Sequence, residues 1–144
     1  MSTKVSQGEI IEMDNLRMFV NGQAMSGGDI SVGLKGAVFL GNISTSASYN
    51  FYSFRGEFPG LHPVPVGGTA IPGELYAVTY EILHRQLLPL EPEELELGCI
   101  TLEDGTGSLA MVCRTSSISL PDVNDISSLG GWKKYLEISR GAHN

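Results

Sequence analysis

The sequence predicts an α+β domain on a mixed, mainly antiparallel sheet that curls toward a barrel. About six or seven short strands and two or three helices are expected. Three observations carry this. Apolar runs of strand length recur along the chain, but they do not alternate with helices in a regular βαβ order. Eighteen glycines and seven prolines in 144 residues demand many tight turns and leave little room for long helices. An apolar share of 42% at this length suffices for one core. A single domain is therefore expected over residues 15–138, between a polar arm at 1–14 and a tail at 139–144.

The first strand is expected at 16–20, where Leu16-Arg-Met-Phe-Val20 breaks into Asn21-Gly22. Ser26-Gly-Gly-Asp29 follows as a flexible link, with Asp29 placed to cap a helical turn over 30–35. The apolar run 37–43 suits a buried strand. Residues 48–54 mostly alternate aromatic and polar side chains, as a half-buried strand does. A turn-rich connector at 55–60 leads to a short extended piece at 62–66, restricted by Pro63 and Pro65. Gly73-Glu-Leu-Tyr-Ala-Val78 is the clearest strand. Thr79 is placed to cap a helix over 80–88, which Pro89 ends. An acidic loop at 91–96 precedes strands at 97–102 and 108–114, joined at Asp104-Gly105 in a strong hairpin signal. A loop at 116–124 precedes a closing helix, opened by Asp125 or Ser127, that carries Trp132 and Tyr135.

A net charge of −7 argues against nucleic acid or an anionic membrane as partner. Neither cysteine, Cys99 or Cys113, sits at a metal-binding spacing, and three scattered histidines add no ligand cluster; two buried reduced thiols and no metal or cofactor are expected. No apolar run reaches membrane-spanning length and no signal peptide is visible, so the expected location is the cytoplasm.

Asn21-Gly22 reads as an ordinary turn or as something more specific. Glycine permits a turn with positive φ, and successive backbone N–H groups in such a turn can form a nest for a carboxylate. The wider pattern resembles the gamma-glutamylcyclotransferase-like fold family, whose members carry an N-terminal strand ending in a glycine loop and a later Gly-Glu-hydrophobic-aromatic strand. The counterparts are Phe19-Val20-Asn21-Gly22-Gln23 and Gly73-Glu74-Leu75-Tyr76, with Phe58-Pro59-Gly60-Leu61 between them. Within that family the chain is most similar to the C-terminal domain of allophanate hydrolase. The likeness rests on Pro59-Gly60-Leu61, on Gly98-Cys-Ile-Thr-Leu-Glu-Asp-Gly105, and on Gly130-Gly131-Trp132 followed by Tyr135-Leu136. It spans residues 16–137. Two departures stand out. Gln23 replaces the Ser or His usual after the loop glycine, and Glu91-Pro-Glu-Glu-Leu-Glu96 replaces a Pro-x-Pro-Leu-Gly segment.

The resemblance implies a small-carboxylate site at Val20, Asn21, Gly22, Gln23 and Ala24. Cyclotransferase-type members use a glutamate after the second helix as general acid/base; counting from Gly73-Glu74 places the match at Glu91 or its neighbour Leu90. A desolvated carboxyl there would titrate near neutrality. His62, after Pro-Gly-Leu, is a second candidate acid/base residue. Glu74 is placed to hydrogen-bond the first loop and orient it. Tyr52 and Tyr76 could offer hydroxyls, and Arg55 or Arg17 could pair with a ligand carboxylate. Each has a plainer reading as core, rim or solvated surface. His84, His143, Trp132 and Tyr135 are read as structural or incidental.

Three functions follow. The first is an enzyme that breaks down a urea-derived carbamate such as N-carboxycarbamate, releasing ammonia and carbon dioxide. The second is a gamma-glutamylcyclotransferase-like acyl transfer that depends on Glu91. The third is a non-catalytic partner or scaffold of a separate amidase, or a self-associating homo-oligomer; the chain shows no Ser-Ser-Lys amidase region of its own. Fold alone does not choose among them.

Overall fold

A computed structural model describes residues 15–141. Eight strands form one sheet: β1 (Asn15–Val20), β2 (Val38–Ser44), β3 (Tyr49–Phe54), β4 (Phe58–Pro63), β5 (Pro72–Thr79), β6 (Leu95–Thr101), β7 (Gly107–Cys113) and β8 (Val123–Asp125). The closing helix α1 spans Trp132–Gly141. The curled, mixed sheet is the α+β arrangement that the sequence predicts, with one strand more than expected. The polar arm and His143 lie outside the described residues.

The strand order is β2-β5-β1-β7-β4-β3-β8, with β6 on β7. All pairings are antiparallel except β1 and β4 on β7. Those two share one side of β7. β1 pairs with it at Leu109 and Ala110, and β4 takes over at Val112. The sheet therefore forks at Met111, where β1 and β4 diverge. That fork positions the site.

The core gathers Phe19, Phe51, Leu61, Ile71, Leu87, Leu102 and Trp132, with a second cluster of Phe54, Phe58, Leu95 and Cys113. Trp132 stacks on Tyr135, ring centroids 5.1 Å apart, and so seats α1. Gly73 lies where a Cβ would collide with the Phe19 ring and the Val20 carbonyl, so only glycine lets β5 pass β1 this closely.

Several boundaries differ from expectation. Residues 37–43 do form a strand, but not a buried one: Val38, Phe39 and Leu40 are 60%, 52% and 51% exposed. β2 ends the strand order and pairs only with β5, so its apolar run has no second neighbour. Asp29 caps nothing; the 3-10 turn Ser31–Leu34 starts after Ile30 without a side-chain cap. Thr79 does cap, its Oγ1 accepting from Ile82 N–H at 3.1 Å. The helix after it widens into a π-helical segment, Ile82–Leu87, and continues as a 3-10 turn, Leu88–Leu90, through Pro89. Proline is tolerated there because the first turn of a helix leaves its N–H groups unused. The connector at 55–60 is shorter than expected, since β4 starts at Phe58, and β8 lies partly within the expected loop at 116–124. Cys113 is buried as expected, but Cys99 is exposed.

Candidate active site at the sheet fork

β1 leaves the sheet at Val20 and turns through Asn21-Gly22 directly over the start of β4. A Cβ on Gly22 would lie 2.5 Å from Pro59 Cδ, so the close approach requires glycine. Met25 N–H donates to the Gly22 carbonyl at 3.0 Å and closes the turn. Gln23 fastens it. Its backbone carbonyl accepts from Ile30 N–H at 3.0 Å, its Oε1 from Asp29 N–H at 3.2 Å, and its Nε2 donates to the Glu57 carbonyl at 2.6 Å. The side chain is spent on loop shape.

Beneath the turn lies a cavity of about 200 Å³ at the fork. Val20, Asn21, Gly22, Gln23 and Ala24 form one wall, Phe58 and Pro59 of β4 another, and Met111 of β7 lies between them. Leu90, Glu91, Pro92 and Leu95 close the opposite side. Among the described residues, the N–H groups of Gly22, Gln23 and Ala24 donate to no acceptor in the chain. The Asn21 Nδ2 is also buried without a partner. Unpaired donors of this kind are costly unless a ligand or water receives them. Contrary to the sequence expectation, Gly22 does not have a positive φ, nor do Asn21, Gln23 or Ala24; successive amides in a turn can nonetheless receive an oxyanion.

Glu91 faces the same cavity. It follows the 3-10 turn, its N–H donating to the Leu88 carbonyl at 3.1 Å. Burial pushes its carboxyl up to about 7, because an ionised carboxylate loses its hydration among apolar walls. It therefore exchanges a proton near neutral pH.

The other candidates are placed elsewhere. Glu74, 5% exposed, bonds the first loop: Ser26 N–H and Ser26 Oγ donate to its two oxygens at 2.8 and 2.7 Å. Burial alone would raise its carboxyl, but the bonds from Ser26 and Tyr76 and the nearby Lys133 ammonium leave it below the usual range. It lines a separate hollow with Trp132 and Lys133. The Tyr76 hydroxyl donates to Glu74 Oε1 at 3.0 Å and does not line the fork cavity. Burial and the bond to that carboxylate push the phenol up to about 12. Tyr52 accepts from Asn50 Nδ2 at 3.2 Å, away from the cavity. Arg55 is held by Glu57 and Glu94, and Arg17 by Thr106 at the hairpin tip. His62 is half-buried on β4 opposite Asn50 and does not line the cavity. Its neighbour Leu61 is fully buried, and successive strand residues face opposite ways. Sequence reasoning missed Met111 and Leu95; nothing in their local patterns separates a cavity wall from core.

A curled α+β sheet with a glycine-loop cavity at its fork defines the gamma-glutamylcyclotransferase-like fold. The family model of the allophanate hydrolase C-terminal domain matches residues 16–137, and the chain belongs to that family. It is 28% identical over 107 residues to urea amidolyase of Saccharomyces cerevisiae, a match covering 71% of this chain and 6% of that protein. The crystal structure of Kluyveromyces lactis urea amidolyase superposes with a TM-score of 0.83 at 25% identity, covering 97% of this chain and 9% of that one. A uropathogenic E. coli-specific protein superposes at 0.80 with 28% identity, covering 85% of this chain and 96% of that one. The chain thus spans a small fraction of the two urea amidolyases and nearly all of the E. coli protein. No helix among the described residues is long and apolar enough to cross a membrane.

Proposed function

We propose that the fork cavity binds a small carboxylate-bearing nitrogen compound and that Glu91 hands a proton to its nitrogen. The observation carrying this is that the glycine-loop residues and a carboxyl that burial pushes up to about 7 line one cavity. The family suggests a urea-derived carbamate, N-carboxycarbamate. One carboxylate rests on the amides of Gly22, Gln23 and Ala24. The C–N bond to the other breaks, carbon dioxide leaves, and the electron pair stays on nitrogen, which takes the proton from Glu91. The resulting carbamate loses carbon dioxide in the same way once Glu91 regains a proton from water, leaving ammonia. His62 has no step in this scheme. The implied partner is an amidase that supplies the carbamate.

The same placement of Glu91 favours a second reading, cyclotransferase chemistry, in which the carboxylate form acts as base. The two readings predict opposite pH limbs. Proton donation needs the acid, so kcat/KM falls as pH rises through about 7; a base gives the reverse. The test generates N-carboxycarbamate in situ with a separate allophanate amidase and follows ammonia above the spontaneous rate. Glu91→Gln should lose about 100-fold or more. Unchanged turnover in that variant sinks the acid role. Release of 5-oxoproline from a γ-glutamyl amine, without carbamate turnover, selects the second reading.

A further inference from the structure

Arg55 stands at a turn that touches both walls of the cavity. Its backbone has φ of 58°, a left-handed conformation uncommon for a non-glycine residue. Such a conformation persists where surrounding contacts over-determine it. The contacts here are specific. The Arg55 N–H donates to the Asp122 carbonyl at 2.9 Å. Its Nε lies 3.0 Å from Glu57 Oε1, and its Nη1 reaches across to Glu94 Oε2, also at 3.0 Å. The guanidinium sits over the Phe58 ring, 5.4 Å from its centroid. Phe58 and Glu57 both line the cavity, and Glu57 also anchors Gln23 of the glycine loop. Glu94 lies three residues beyond Glu91, on the segment that closes the opposite wall.

We propose that Arg55 is a positioning residue: it straps segment 91–94 to the β3–β4 turn and so holds Glu91 inside the cavity, facing the glycine loop. This deepens the reading of Glu91 as proton carrier and rests on it. The glycine loop and the acidic segment share no direct hydrogen bond among the described residues, and the Arg55–Glu94 pair links the segment to the β3–β4 turn beside the loop. On the far side the segment is held by Arg114, whose Nε donates to the Glu93 carbonyl at 2.8 Å and whose N–H donates to the Glu94 carbonyl at 3.0 Å. Those bonds fix its backbone to the end of β7, while Arg55 takes hold of a side chain and pulls toward the fork. Among the described residues, the charged groups around the cavity besides Glu91 are Asp29 and Glu57, with Glu93 and Glu94 on Glu91's own segment, and no lysine or arginine lines it. With the strap released, water reaches Glu91, and its proton affinity falls toward that of an ordinary glutamate.

The test reads Glu91 directly, by the pH titration of its side-chain carboxyl carbon in NMR, in wild type, Arg55→Asn and Glu94→Gln. Asparagine tolerates the left-handed backbone, so Arg55→Asn removes the guanidinium while sparing the turn. Glu94→Gln cuts the same strap from the other end and serves if the first variant folds poorly. Both should lower the Glu91 midpoint by about one pH unit or more, with the acid-dependent limb of kcat/KM moving alongside it. A Glu91 midpoint unchanged in the folded variants would overturn the strap, as would a wild-type midpoint already in the ordinary carboxyl range. The titration needs no turnover. Shifted midpoints in a protein that does not consume the carbamate would leave the strap standing and remove the proposed reaction.

Discussion

Glu74 accepts both the backbone N–H and the hydroxyl of Ser26, at 2.8 and 2.7 Å, across 48 positions of sequence. This pair ties the far end of the glycine loop to β5, while the loop's near end leaves β1 opposite the same residue, Val20 facing Glu74. One residue therefore meets both ends of the glycine loop, its carboxylate at Ser26 and its backbone in the ladder opposite Val20.

Replacing it should be costly and pH-dependent. Glu74→Ala removes the buried acceptor that holds exposed Ser26 and half-buried Tyr76 and should cost about 1–3 kcal/mol. The carboxyl titrates lower in the folded protein than its ordinary 4.5. The unfolded chain thus takes up a proton first as pH falls. The stabilisation is complete above about 4.5 and disappears as pH drops through the lower folded value. Urea denaturation of wild type and Glu74→Gln between pH 3 and 7, on the order of one curve per pH unit, should show the gap closing on the acid side. A gap of constant size would remove the charge from the explanation.

Gly22 sets how near the loop comes to β4. An alanine there must push Pro59 or lift the turn, because Pro59 Cδ would sit 2.5 Å from the new carbon. Overpacking against a rigid ring costs about 1–3 kcal/mol, and lifting the turn moves the amides off the ligand. Gly22→Ala should therefore lower the melting temperature and weaken carboxylate binding together, as calorimetry of both would report. Loss of neither would mean that the loop has slack.

Much of this was legible in the sequence. Short apolar runs with turn signals located most strands, and the ordered motifs pointed to the glycine loop and to Glu91 or Leu90, all of which line the one cavity. What stayed hidden depends on who sits next to whom. Val38, Phe39 and Leu40 read as a buried strand because edge position is a property of strand order, which composition does not encode. His62 read as a pocket residue because its motif is correct, but Leu61 takes the inward face and turns His62 away. Arg55 read as a ligand partner, whereas its carboxylates are Glu57 and Glu94, the latter 39 positions downstream.

The two thiols should behave differently. Cys99 is exposed, while burial pushes the Cys113 thiol up to about 12. The thiolate is the reactive form, so Cys113 should stay inert under native conditions. Iodoacetamide at about pH 8, near the ordinary thiol value, should add one label to native protein and two in denaturant, read by intact mass. Two rapid native labels would show that the second core cluster, where Cys113 packs beside Phe54 and Leu95, opens readily.

Glu91 should weaken the fold it serves. Its carboxyl rises from the ordinary 4.5 to about 7 on folding. Below 4.5 both states are protonated and nothing is lost. Between 4.5 and 7 the unfolded chain ionises first, and stability drains away as pH rises, reaching a floor above the folded value. The displacement corresponds to a loss of up to about 3 kcal/mol. Glutamine has nearly the same shape and no charge to bury. Glu91→Gln should therefore match wild type near pH 4 and exceed it near pH 8, on the order of the same few kcal/mol, while losing turnover. Urea denaturation at the two pH values decides it. A variant no more stable than wild type at the higher pH would mean that the Glu91 carboxylate is already hydrated, and the cavity would then lack the group that gives it chemistry at neutral pH.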